Sequence, residues 1–389
     1  MKALNSNILA IQPSATLAIA ALAKQLAAQG RPVCDFAAGE PDFDTPAFIK
    51  DAAITALREG KTKYTPVAGV PKLCEVIAAK LKRDNGLDYK PSQIVVSCGA
   101  KHSLALVFQT LLNPGDEVII PAPYWLSYPE MVRIAGGVPV FITATSAADF
   151  KITPADIEQA ATARTVALVI NSPCNPTGTM YTPAELRALG ETALRLGLTL
   201  VSDEIYEKMV YDGNEHASLA AFSPALYANT ITVNGMSKAY SMTGWRLGYT
   251  AAPEPFIKAM NALQSHTASA PNTFAQWGGV AAIDRGDDSI REMVAAFDAR
   301  RRRIFALMSA IPGVVCPRPT GAFYVFPDIS ALGLDSLTFS RRLLEEHNVA
   351  VVPGVAFGAD SCVRLSYACT METIETGLAR FRAFCASLT

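Results

Sequence analysis

From Ser92 to Ala252 the chain alternates between short, nearly unbroken runs of Val, Ile and Leu and longer stretches with helical spacing. The runs fall at Ile94 to Ser97, Glu117 to Pro121, Val138 to Ile142, Val166 to Asn171, Thr199 to Ser202, Thr230 to Val233 and Tyr249 to Ala252. A strand that is apolar on both faces is buried on both faces, which is the pattern of a mostly parallel sheet covered by helices on either side. Helices are predicted between the runs, such as Ser103 to Leu112 and Pro183 to Leu196. The expected fold class is therefore α/β, with a doubly wound sheet. Upstream, the pattern predicts a helix after the Pro13-Ser14 cap signal, a short strand from Val33, and helices over Pro46 to Glu59 and Pro71 to Asn85.

Past Pro253 the alternation stops. A helical region runs through Ala282, a long helix covers Ile290 to Ile311, and strands at Gly321 to Phe326, Val349 to Pro353 and Val363 to Ala368 are interleaved with helices at Leu337 to His347 and Glu372 to Ala386. This reads as a smaller α+β domain built by both chain ends, residues 1–45 with residues 286–389, around a large domain of residues 46–285. The length of 389 residues accommodates such a division at roughly 150 residues per domain.

Charge adds only exclusions. With 34 basic and 35 acidic residues there is no electrostatic case for nucleic acid or a membrane surface, and the basic run Arg300 to Arg303 reads as a solvated helix face. No apolar run reaches the length of a membrane span, and Gln12, Pro13, Ser14 and Lys24 interrupt the Ala-rich start that would otherwise resemble a signal segment. The eight cysteines are scattered without a C-x-x-C pair, and His102, His216, His266 and His347 form no matching cluster, so the expectation is reduced thiols, no structural metal and a cytoplasmic setting.

The candidate chemistry lies at the predicted strand ends, where open α/β sheets bind ligands. Lys238 follows Ser237 just after the Thr230 to Val233 run and is trailed by Gly244-Trp245-Arg246-Leu247-Gly248. A lysine there, near a second cation, has its ammonium form disfavoured and is suited to a Schiff base with a carbonyl cofactor. Arg246 and the Ser237 hydroxyl suit a phosphate. Cys98-Gly99-Ala100-Lys101 joins a strand to a helix N-terminus, a natural anion site. Asn175 sits in a loop stiffened by Pro173 and Pro176. Asp203 and, three residues on, Tyr206 follow another strand, where the aspartate is either a helix cap or the partner of a buried cation. Trp125 could stack on a flat ring or fill core, Tyr64 could pack or reach a ligand, and Gly39 could mark a close backbone approach or a plain turn. Arg364 could hold a ligand carboxylate or an exposed salt bridge.

Taken in order, Ser237-Lys238 with Gly244-x-Arg246-x-Gly248, Asn175-Pro-Thr-Gly178, Ser202-Asp203-Glu-Ile-Tyr206 and Arg364-Leu-Ser-Tyr367 resemble the class I, fold type I aminotransferases that depend on pyridoxal phosphate, most closely the bacterial aspartate aminotransferase group. The resemblance covers nearly the whole chain, from Gln12-Pro-Ser-Ala-Thr16 onward. It implies pyridoxal phosphate on Lys238 as a Schiff base, with Lys238, Asp203 and Tyr206 as catalytic residues. Asp203 would hold the pyridine nitrogen protonated, Asn175 and Tyr206 would bond the ring oxygen, and Trp125 would stack on the ring. Gly99, Ala100, Lys101, Ser237 and Arg246 would surround the phosphate, with Tyr64 reaching it from a second subunit of a homodimer. Arg364, helped by Gly39 and Asn175, would take the substrate α-carboxylate.

The implied reaction is amino transfer from an amino acid such as aspartate to 2-oxoglutarate by a ping-pong mechanism. Alternatives on the same fold are an aromatic, kynurenine or prephenate aminotransferase, or a β-elimination lyase. From another class, a sensor that binds the cofactor without catalysis lacks a basic patch or an added module here. Cys98, Ala100, Cys174 and Gly235 depart from the family pattern, and Ser14 to Thr16 and Gln109 are the candidates for the substrate side-chain pocket.

Overall fold

The structure is a computed structural model that describes residues 6–9, 11 and 15–388. Its strands are β1 (Cys34–Asp35), β2 (Ile94–Ser97), β3 (Glu117–Ala122), β4 (Val138–Thr143), β5 (Thr165–Asn171), β6 (Thr199–Asp203), β7 (Thr230–Gly235), β8 (Gly248–Ala251), β9 (Tyr324–Val325), β10 (Val349–Ala350), β11 (Val352–Pro353) and β12 (Val363–Ser366). Strands β2 to β8 form one seven-stranded sheet in the order β2-β8-β7-β6-β5-β3-β4. All neighbours are parallel except at β8, which is antiparallel to both β2 and β7.

The two-sided burial inferred from the apolar runs is present in the inner strands, whereas the edge strand β4 leaves Val138 and Phe141 exposed. Val95, Ile120, Val169 and Val201 point into one core under the helices Ala100–Leu111 and Glu254–Thr267. Ile119, Leu168, Ile170 and Leu200 point the other way, toward the helix Pro183–Arg195. Period-two alternation with both faces covered is what makes these segments strands rather than short helices.

The chain ends build a second body. β1 pairs in parallel with β10, and β9, β11 and β12 form an antiparallel sheet in the order β11-β12-β9. The helices Asp287–Ser309, Ser336–His347 and Met371–Ala386 close over it around Phe36, Phe297, Phe339, Phe381 and Phe384. Several elements differ from expectation. The strand expected over Gly321 to Phe326 shrinks to β9, because Ala322 takes a left-handed φ of 55° and turns the backbone out of extension. Val349 to Pro353 splits into β10 and β11, which pair with different partners. The helical region after Pro253 is two helices, Glu254–Thr267 and Thr273–Arg285, separated by Ser269 at φ 59°.

The run Arg300 to Arg303 is also not one solvated face. Arg301 is 1% exposed and donates to Asp298 on its own helix, to Asp212 through both Nη atoms and to the Pro319 carbonyl. Arg300 pairs with Asp42. Arg301 thus ties the long helix to the loop after Tyr206. Replacing it with Met leaves Asp298 with only Arg302, Asp212 with only Arg318 and the Pro319 carbonyl without its donor, so Arg301→Met is expected to cost about 2 kcal/mol. Urea unfolding of the two proteins measures this, and an unchanged midpoint would contradict it.

Candidate active site

Because the strands run one way, the carboxyl ends of β2, β5, β6 and β7 share one edge of the sheet. β8 runs in reverse, so its first residue, Gly248, registers opposite both Ser97 and Gly235 at that same edge. This brings two loops together. Gly99, with φ 87°, leads into the helix Ala100–Leu111, which starts three residues earlier than the sequence pattern suggests. A Cβ on Gly248 would lie 2.1 Å from the Ala100 amide nitrogen, and one on Gly99 would lie 2.5 Å from Arg246 Nη2. Only glycines allow the helix N-terminus and the guanidinium to converge, and the result is an anion cradle backed by the helix dipole. Lys101 lies on the first turn, with Nζ 5.1 Å from the Trp125 ring centroid. Burial lowers its pKa, with the charge of Arg246 adding to the effect. Ser237 is buried at the start of the turn after β7, and Arg246 is exposed.

Asp203 ends β6 and is 4% exposed. Its Oδ2 accepts from the Tyr128 hydroxyl at 2.6 Å and its Oδ1 from the Ile205 amide at 3.2 Å. Asn171, its register partner on β5, donates to the Asp203 carbonyl at 3.0 Å and accepts from the Asn175 amide at 2.9 Å. Burial pushes the Asp203 carboxyl up to about 6 despite the two donors, and Glu204 adds to the rise while Lys238 opposes it. Such a carboxylate is under-compensated, and a protonated aromatic nitrogen is the partner it fits. The helix-cap reading fails, since no helix follows β6 directly.

Lys238 is half-buried and donates from Nζ to the Gly39 carbonyl at 2.5 Å. Burial pulls its pKa down to about 8. Glu40 opposes this, and Arg364, Arg246 and Lys101 deepen it. Arg364 on β12 is 3% exposed, so the exposed salt bridge is ruled out. Its Nη1 donates to Asn175 Oδ1 at 3.0 Å and its Nη2 to the Ala37 carbonyl at 2.8 Å, while Nε has no partner and no carboxylate faces it among the described residues. A buried guanidinium with an idle donor and no counter-ion fits a ligand carboxylate. The Tyr206 hydroxyl lies 2.9 Å from that of Tyr324. Trp125 is partly buried and packs edge-on against Tyr128. Tyr64 projects fully into solvent and meets none of these residues.

The sequence pattern missed three features. Tyr128 and Tyr324 touch two of the predicted residues but sit in unremarkable apolar contexts. Behind the site, Glu204 points away from Asp203 into a buried cluster with Ser202, Ser218, Asn85, Glu207, Lys80 and His216. Glu204, Glu207 and His216 lie within metal-ligand reach of one another, a grouping that scattered histidines did not suggest. Lys80, in contact with Glu207, supplies the positive charge a metal ion would bring. Gln109 is not a pocket residue. It is exposed in the last turn of its helix, roughly 14 Å along the axis from the anion cradle. Ser14 lies outside the described residues.

The α/β fold thus gathers at one sheet edge an amine of lowered proton affinity, a buried carboxylate, a helix N-terminus beside a guanidinium, and a second, buried guanidinium without a counter-ion. The profile of the family "Aminotransferase class I and II" matches residues 31–381. Over 386 residues the chain is 50% identical to an aspartate aminotransferase of Geobacillus stearothermophilus, covering 98% of each. It is 48% identical to a probable aspartate/prephenate aminotransferase of Aquifex aeolicus, again over 98% of each. The solved aspartate aminotransferase of Thermus thermophilus with maleate superposes with a TM-score of 0.95 at 44% identity, over 98% of this chain and all of that one. The chain belongs to the class I and II aminotransferases and is a transaminase.

In cofactor-free protein the raised Asp203 pKa has a stability signature. The folded state binds a proton more tightly than the unfolded one, so the cost of this group is absent below pH 4 and grows as pH rises through about 6. Relative to Asp203→Asn, the wild-type apoprotein is expected to lose on the order of 2–3 kcal/mol between about pH 4 and about pH 7. Parallel denaturation curves at several pH values would refute the assignment if the difference between the two proteins did not change.

Proposed function

We propose that this transaminase is an aspartate aminotransferase, dependent on pyridoxal phosphate, that passes the amino group of aspartate to 2-oxoglutarate in two half-reactions. The observation that carries the reading is the juxtaposition across Gly39 of a neutral-prone amine, Lys238, and an unpaired buried guanidinium, Arg364. Aspartate aminotransferases at 50% identity over nearly the full chain support the choice of substrate.

The residues fit the cofactor. Lys238 would hold it covalently, Asp203 would pair with its ring nitrogen, and Asn175 and Tyr206 would face its ring oxygen. Trp125 would cover the ring, and Gly99, Ala100, Lys101, Ser237 and Arg246 would cradle its phosphate. Once bound, pyridoxal phosphate supplies an electron sink for the bond broken at the amino acid Cα. The Arg364 fork, with Asn175 and the Gly39 backbone, orients the α-carboxylate and so aims the Cα hydrogen at Lys238. Lys238 Nζ, whose proton affinity burial has reduced, takes and returns that proton. A cation facing Asp203 stabilises its ionised form, which ties the cofactor's protonation to its position.

The same reading includes a homodimer, in which the solvent-exposed Tyr64 would reach the phosphate site of the second subunit. It includes a cofactor domain of residues 46–285 and a smaller domain of residues 1–45 and 286–389, supported by the seven-stranded sheet lying wholly within the first and the two small sheets within the second. It also includes a cytoplasmic setting, supported by eight unpaired thiols. Among the described residues no helix is long and apolar enough to cross a membrane.

Single-turnover absorption of the holoenzyme with aspartate, glutamate, alanine, tyrosine, phenylalanine and kynurenine tests the substrate class. Fastest conversion to the amino form of the cofactor with aspartate and glutamate is expected. A preference for the aromatic acids, or release of pyruvate and ammonia without that form, would displace the reading. Lys238→Ala is expected to abolish both turnover and the absorption of the lysine-bound cofactor, and a variant that still turns over would refute the role of Lys238.

A further inference from the structure

Tyr324 is fully buried on β9, wedged between two residues of the site. Its ring lies under Arg364, with the guanidinium carbon 4.6 Å from the ring centroid, and its hydroxyl lies 2.9 Å from that of Tyr206. The same hydroxyl stands 3.3 Å from where a Cβ on Gly39 would be, so the segment that follows β1 passes directly over it. Tyr324 therefore touches the carboxylate anchor with its face and the predicted ring-oxygen donor with its edge. Either hydroxyl can donate to the other. When Tyr206 donates toward a ligand, Tyr324 must be the donor to Tyr206, and donors in series strengthen one another.

We propose that Tyr324 is a positioning residue that couples the two ends of the site, so that a carboxylate arriving at Arg364 changes how strongly Tyr206 donates toward the cofactor's ring oxygen. The inference rests on the proposed function above. Its sign follows from charge. With Arg364 unpaired, the cation over the ring makes Tyr324 a better donor, Tyr206 in turn donates more strongly, and electron density withdrawn through the ring oxygen lowers the proton affinity of the cofactor joined to Lys238. A substrate carboxylate neutralises Arg364, weakens the series and raises that affinity. The free holoenzyme is thereby held ready to release a proton, and the ligand-bound one to retain it. A parallel route runs from Arg364 Nη1 to Asn175, so Tyr324 carries part of the coupling. The other charged groups facing this line are Glu40, Arg246 and Lys101 around Lys238, and Asp203 beside Tyr206.

Tyr324→Phe keeps the ring under Arg364 and removes only the hydroxyl. The holoenzyme is titrated by absorption across pH, with and without maleate, a dicarboxylate that lacks an amino group. In the wild type, maleate is expected to raise the pKa of the bound cofactor. In the variant that pKa starts higher by roughly half a unit, about threefold in proton affinity, and the rise caused by maleate is smaller. By linkage, the pH dependence of maleate binding flattens in step. A variant that titrates like wild type in both conditions overturns the coupling, even if its melting temperature falls. A wild-type protein that binds no pyridoxal phosphate overturns the proposed function as well, so the two failures are distinguishable. If Tyr324→Phe does not fold, Tyr206→Phe cuts the same series one bond further on. An undiminished maleate shift in that variant also refutes the inference.

Discussion

A carboxylate removed from water without a cation dictates much of this structure. Asp203 has one phenol and one amide as donors, and these do not offset burial. Burying an ion without its partner costs several kcal/mol, and proteins tolerate this where a ligand completes the pair. Strand β6, at the middle of the seven-stranded sheet, holds that carboxylate at the edge where the strand ends converge. Strand alternation then sends the next side chain, Glu204, to the opposite side, where a hydrogen-bonded cluster around Lys80 and Asn85 anchors the turn from behind. The chemistry of the site is thus supported by a second, buried polar layer hydrogen-bonded through Glu204, Asn85 and Ser218.

The other constraint is the strap between β1 and the helix Ala47–Arg58. Its carbonyls at Ala37 and Gly39 accept from Arg364 and Lys238. Glu40 accepts from Thr243, and Thr45 stands between the Trp245 indole and the Ser241 carbonyl. A segment anchored at so many points positions both reactive side chains through backbone atoms, which no substitution of side chains along the strap can supply. That explains why a short Gly-Glu-Pro stretch carries so little motif signal and so much of the geometry.

The large sheet was legible in the sequence because burial on both faces leaves unbroken β-branched runs, and Asn175, Asp203 and Lys238 stood out as candidates because each lies at or just after the end of such a run. The small body was less so. Its strands are two to four residues long and end where the backbone changes partner or adopts positive φ, as at Ala322, which side-chain patterning does not register. Tyr128 and Tyr324 stayed hidden for a different reason. Phenols in apolar surroundings look like core, and only the fold reveals that their hydroxyls meet Asp203 and Tyr206. Arg364 was ambiguous because a lone charge in a short strand is compatible with either exposure or burial.

The reversal of β8 bears on how the protein comes into being. β2 pairs with nothing in the sheet except β8, and β8 joins it to β7. As the chain leaves the ribosome, β2 emerges early but has no strand partner for some 150 residues, until β8 closes the gap. The strands between can assemble beforehand, and Lys238 is already present at that stage. The loop Cys98 to Lys101 is held against the Arg246 loop through β8, so the proposed phosphate cradle is complete only once β8 is in place. A nascent chain that ends before residue 248 contains Lys238 but lacks the strand that joins the two halves of that cradle.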